Sequence, residues 1–98
     1  MYIVRDIFNL KYGHFRPVKA MMEDAMKMGM MPNSKNNRIL SDFTGGAYRL
    51  IMETGFDSLA DFEKELASDM SKPEFQEWYK KFIEHVDSGH REILKVVM

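Results

Sequence analysis

The residues whose type and place could do chemistry are one aspartate, three histidines and a group of aromatic side chains. Asp6 stands within Tyr2–Leu10, YIVRDIFNL, a run of strand-forming residues. Alternation along a strand puts Asp6 on one face with Val4, Phe8 and Leu10, and Arg5 on the other. A carboxyl group on an apolar face is a candidate general acid or base, since burial disfavours the charged form of such groups. The competing reading is structural: a cation from a helix, or the hydroxyl of Tyr48 or Tyr79, satisfies it. His14 opens the first helical stretch, where it either covers the mouth of a pocket or is solvated beside the cap. His85 and His90 flank the end of the last helical stretch. His85 precedes the stripe residue Val86, which places it at a buried edge. Asp6, His85 and His14 are therefore the candidate catalytic residues.

Trp78, Tyr79 and Phe82 repeat at helical spacing and, with Tyr48 and Arg49, are the candidate ligand contacts. Aromatics so spaced also build cores, and Arg49 also has a structural partner in Asp42. No metal site is expected: His85 and His90 are five apart across Gly89, which is no helical ligand spacing. No cysteine is present, so thiolate ligands, disulfides and a cysteine nucleophile are excluded. No cofactor is called for, because glycine-rich phosphate loops are absent. No Ser/His/Asp order forms a triad.

The elements that must position these residues follow from periodicity. Arg38–Glu53, RILSDFTGGAYRLIME, reads as a β-hairpin closed on Gly45–Gly46. That turn sets Thr44 against Ala47, Phe43 against Tyr48, Asp42 against Arg49, Leu40 against Ile51, Ile39 against Met52 and Arg38 against Glu53. Two opposite-charge pairs support the register. One face carries Ile39, Ser41, Phe43, Tyr48, Leu50 and Met52. The other has an aliphatic centre, Leu40 and Ile51, between ion pairs.

A helix is expected from about Phe15 to Met28, with Pro17 in its first turn and Gly29 as its stop. A polar loop covers Pro32–Asn37. Ser58, backed by Asp61, caps a second helix whose stripe is Leu59, Phe62, Leu66 and Met70. Ser71–Glu74 restarts a third helix with the same cap logic and the stripe Phe75, Trp78, Tyr79, Phe82 and Val86. Ser88–Gly89 ends it, and a last strand covers about Glu92–Met98. The order β-α-β-β-α-β, its second helical region split in two, predicts one α+β domain over 1–98 of ferredoxin-like form with a four-stranded antiparallel sheet.

Composition agrees with one domain. The chain has 98 residues, 45% hydrophobic and 30% charged, which disfavours disorder. Its net charge of -1 offers no excess of cations for phosphates, so no nucleic-acid partner is expected. No run approaches a membrane span, and the N-terminus does not read as a signal peptide. A cytoplasmic protein is expected by default. Of ten methionines, six lie in Met21–Met31, as flexible core filler or an adaptable binding surface.

Over its whole length the chain resembles the dimeric α/β-barrel superfamily, especially its NIPSNAP-like, stress-responsive and antibiotic-biosynthesis-monooxygenase-like members. The opening strand running into LKYGHF, the stretch LIMETGFDSLADFEKEL and the later EFQEWYKKFIEHV carry the resemblance. It implies a homodimer in which two sheets pair face to face, here through Leu40, Ile51 and Ile7, with Ile93 and Val97 beside them. It also implies a pocket between sheet and helices. The haem-degrading branch uses an Asn, a Trp and a His. Asp6 and Glu65 stand at the first two positions and only His85 fits, so haem degradation is not expected. Three readings follow: a homodimer binding a small apolar ligand, a cofactor-independent monooxygenase-type enzyme, or a non-catalytic interaction module.

Overall fold

The computed structural model describes residues 1–29, 35–45 and 48–98. Its first strand, β1 (Tyr2–Leu10), buries residues from both faces, because it lies inside the sheet. After it come α1 (Phe15–Lys27), β2 (Lys35–Ser41), β3 (Arg49–Phe56), α2 (Leu59–Met70) and α3 (Pro73–Phe82). A 3₁₀ turn (Ile83–His85) leads into β4 (Val86–Lys95). The strands form one sheet in the order β2-β3-β1-β4, each neighbouring pair antiparallel. This is the α+β, ferredoxin-like arrangement that the element order implies. The core joins Leu10 and Leu50 of the sheet ends to Val18 and Met22 of α1 and Phe82 of α3. Burying side chains of this size stabilises by about 1.5–3 kcal/mol each. Met22 is core, Met26 and Met28 are exposed, and Met30 and Met31 lie outside the described residues. Among the described residues no helix is long and apolar enough to cross a membrane.

The hairpin register holds from Arg38↔Glu53 to Ser41↔Leu50. Beyond it the chain departs from the expected pairing. The Arg49 N–H donates to Asp42 Oδ2 at 3.1 Å and Arg49 Nε to Oδ1 at 2.9 Å, so a side chain replaces the next ladder rung. Phe43 consequently does not face Tyr48. Phe43 is fully exposed, while Tyr48 adopts φ 60 and sets its ring 4.9 Å from that of Tyr12. Gly45, at φ +115, supplies one positive φ. Gly46 and Ala47, and with them the expected Thr44–Ala47 pair, lie outside the described residues, as do Pro32–Ser34 of the polar loop.

β4 starts at Val86, six residues before the expected Glu92. Ser88–Gly89 carries the chemistry of a helix exit, yet Gly89 pairs with Phe8 in the sheet. A Cβ at Gly89 would meet the Phe8 ring at 3.0 Å. The bare backbone is what lets that ring lie over the strand. Two corrections follow from the register. Val86 leaves the aromatic stripe and becomes a strand residue. Ile93 pairs with Val4 and so faces the helices, while Leu94, paired with Ile3, takes the open face.

The caps divide. Asp61 N–H donates to Ser58 Oγ at 3.1 Å, as the capping pattern predicts. Ser71 does not cap α3: its hydroxyl donates back to the Ser68 carbonyl at 2.7 Å, and Lys72 is the N-cap. The stripe expected to bury α2 does not do so. None of its residues is buried, and Leu59 and Met70 are exposed.

Candidate functional site

Because α2 stands off the sheet, a groove opens beneath it. Asp6 and Phe8 of β1, Met52 of β3, and Gly89 and Arg91 of β4 make its floor. Leu66 and Met70 of α2 form one wall. Phe75, Trp78, Tyr79 and Phe82 of α3 form the other. The groove encloses about 560 Å³, within the range of roughly 300–1,000 Å³ common for ligand pockets. A narrower recess of about 110 Å³ shares Asp6, Met52, Trp78 and Arg91 with it and reaches Ala25 and Phe56.

The wall on α3 is fixed in place. The Trp78 indole N–H donates to the Met21 carbonyl at 3.0 Å, tying α3 to α1. Trp78 stacks on Phe82 at 5.0 Å, and Phe82 and Phe8 pack at right angles at 4.9 Å. Trp78 and Phe82 therefore serve as core and as groove lining together. Tyr79 lines the same groove and is more exposed.

Asp6 lies on the groove floor, on the helix-facing side, as alternation requires. Its partner is neither a helix cation nor a tyrosine. Arg91 Nε, on the adjacent strand, donates to Asp6 Oδ1 at 2.6 Å. The guanidinium also lies 5.2 Å from the Phe62 ring centroid. Sequence reasoning misses Arg91, because a β4 begun at Glu92 excludes it. With the correct start, Asp6↔Arg91 is a direct cross-strand pair. Asp69 lines the recess, where burial, then the Glu65 charge, push its carboxyl up. Lys72 opposes them from 3.7 Å.

Of the other named residues, His90 lines the groove and the rest do not. Tyr48 and Arg49 are not among the groove's lining residues. Arg49 is held by Asp42, and that hydrogen bond raises the arginine and lowers the aspartate from their ordinary pKa values. Neither His14 nor His85 lines the groove; the two come together, Nδ1 to Nδ1 at 2.9 Å, with His85 between the lining residues Ile83 and Val86. They meet where β1 leaves the sheet, beside the Lys11 N–H bond to the His85 carbonyl at 2.9 Å. His90 sits mid-strand in β4, opposite Ile7.

The helix-free face of the sheet carries ordered rows. Leu40, Ile51 and Ile7 lie side by side. The adjacent row alternates in charge: Arg38, Glu53, Arg5, Glu92. Arg5 Nε donates to Glu53 Oε2 at 2.8 Å, Arg38 binds Oε1, and Arg5 reaches Glu92 at 3.7 Å. Glu53 is only 4% exposed. Burial pushes its carboxyl up, but the hydrogen bonds and charges of Arg5 and Arg38 outweigh that and hold it below its ordinary value.

No sequence-family model matches the chain, and no curated protein compared with it matches in sequence. Solved structures match in shape. A NIPSNAP family protein of unknown function from Agrobacterium tumefaciens superposes with a TM-score of 0.88 at 18% identity, over 98% of this chain and 87% of that one. An uncharacterized NIPSNAP domain protein from Burkholderia xenovorans gives 0.88 at 10% identity, over 99% and 95%. An antibiotic biosynthesis monooxygenase gives 0.74 at 10% identity, over the full length of both chains. The fold of this chain is thus the ferredoxin-like fold of NIPSNAP and antibiotic biosynthesis monooxygenase proteins.

Proposed function

We propose that the protein is a homodimer whose subunits each bind one small, largely apolar molecule in the groove between the sheet and α2–α3. The groove itself carries this reading: its walls are mostly aliphatic and aromatic, and a single ion pair, Asp6–Arg91, stands on its floor. Apolar walls supply affinity by removing ligand surface from water. The polar groups at the floor fix which end enters first. A pocket of this size counts against a purely structural interaction module. Native mass spectrometry of the protein as purified, followed by denaturing mass on the same sample, tests the reading. A dimer with retained mass that denaturation releases is the expected result. A bare monomer would overturn it.

The second copy fits the helix-free face. A two-fold axis through that face brings an apolar row onto its own copy and lets the alternating charge row meet its complement. Exchanging both Leu40 and Ile51 for aspartate is expected to give monomers in sedimentation velocity, since four carboxylates would crowd a desolvated seam. A variant that stays dimeric would move the interface elsewhere.

One observation favours a catalytic form of the same reading. The carboxylate of Asp6 faces the groove, where it can accept a proton from a bound substrate. The antibiotic biosynthesis monooxygenase likeness suggests a substrate that itself activates oxygen, with no cofactor. Asp6→Asn then abolishes turnover of the retained molecule while changing its affinity little. Unchanged turnover would remove Asp6 from that role.

A further inference from the structure

The structure assigns a role to a pair of chemically versatile side chains that the groove does not use. His14 is the N-cap residue of α1, and its side chain caps nothing in that helix. His85 closes the 3₁₀ turn before β4. Their separation of 71 residues hides the pair from any reading of local spacing. The fold turns both Nδ1 atoms toward each other at 2.9 Å, with both rings half-buried and inclined at 58°.

We infer that His14 and His85 form a binding site for one borderline divalent cation of the Zn²⁺, Co²⁺, Ni²⁺ or Cu²⁺ type. Metal–imidazole bonds of about 2.0–2.1 Å place two neighbouring nitrogens about 2.9 Å apart at a right angle and about 3.3 Å apart in a tetrahedron. The two nitrogens stand at that bite, and each ring has only to turn so that its lone pair leaves the N···N line and meets the other at the metal. The cation side is equally specific. Imidazole suits these metals, whereas magnesium and calcium want oxygen.

Without a metal, the contact is an N–H···N bond, so one ring bears its proton on Nδ1 and the other on Nε2. Metal entry needs both Nδ1 lone pairs. The first ring therefore changes tautomer, moving its proton to Nε2 through water, and no net proton is lost from two neutral rings. Among the described residues no third histidine, aspartate or glutamate joins the pair. The remaining coordination positions fall to water or to a small anionic or nitrogen ligand. Such a site is open and exchangeable, the form in which a metal polarises what it binds. The assignment does not rest on the groove or on its ligand.

Cobalt(II) added to the full chain tests it, read by the visible absorption of the bound ion, with zinc(II) as competitor. One equivalent per chain is expected, displaced by zinc. His14→Asn and His85→Asn are each expected to weaken binding at least tenfold, and His90→Asn to leave it unchanged. Zinc added to the unmutated protein is also expected to move the imidazole proton resonances of two histidines and leave the third in place, a readout that needs no variant to fold. Failure of cobalt to bind, equal loss in His90→Asn, or unmoved resonances would each overturn the site.

Discussion

Phe82→Ala is expected to destabilise the protein by about 3–5 kcal/mol, the usual range for deleting a buried phenylalanine. Phe82 is 1% exposed and sits at the junction of three packings. The rings of Phe8, Trp78 and Tyr79 all meet it. A domain of this length has only about 5–15 kcal/mol in total, so the loss takes much of it. The thermal midpoint is expected to fall by more than about 10 °C. The site predicts something further. Phe82 lines the groove, so the deleted ring enlarges an apolar space with an entrance. Small aromatic molecules should refill it, as apolar cavities bind benzene. Indole or toluene is expected to raise the midpoint of Phe82→Ala well above any effect on the unmutated protein. Equal shifts in both would mean that the cavity closes on itself.

Glu53→Gln is the second large effect. The substitution keeps the shape and removes the charge that Arg5 and Arg38 share. Breaking a buried pair from one side costs about 3–5 kcal/mol. The two arginines retain access to water, so neither is left as a buried unpaired charge, and the expected cost is that of hydrogen bonds to a charged group, about 1.5–3 kcal/mol. Its pH dependence has a fixed sign. The folded-state carboxyl lies below its ordinary value, so its contribution is complete above the unfolded pKa of about 4.5 and drains away as pH falls through the folded value. Urea unfolding of both proteins from pH 7 down to pH 3 reads it. The gap between them is expected to narrow with acid. The Asp42–Arg49 pair is common to both and cancels. A gap that stays constant would show that the Glu53 charge contributes nothing.

The parts legible in the sequence are those that local rules specify. Tyr2–Leu10 is a strand because its residues say so, and the hairpin register follows from charges that must meet. Ser58 announces its helix by its type and by Asp61 three residues on. What the sequence hid depends on contacts between distant segments. Val86–Gly89 has the composition of a helix exit, and only its pairing with Phe8–Leu10 of β1 makes it strand. That one displaced boundary also hid Arg91, the partner of Asp6, and turned Ile93 to the opposite face. Phe43 looked like core from its parity. Asp42 ends the ladder first, and parity has no meaning past the last rung. The α2 stripe is genuine as a pattern, yet it faces a groove instead of a core.

The charged row also decides which of several pairings the sheet adopts. A slip of β1 against β3 by one residue would send every apolar side chain to the wrong face, and burial alone forbids it. A slip by two is different. Parity survives, and Ile3, Ile7 and Ile51 stay on the face they occupy now. Hydrophobicity scarcely distinguishes the two alignments. Arg5 would then move off Glu53 and leave that carboxylate beside Ile3 or Ile7 with one fewer cation. The misaligned sheet therefore carries a penalty that the correct one lacks. The ion row acts as a proofreader of strand alignment, rejecting the one error that a repeating aliphatic face would otherwise accept.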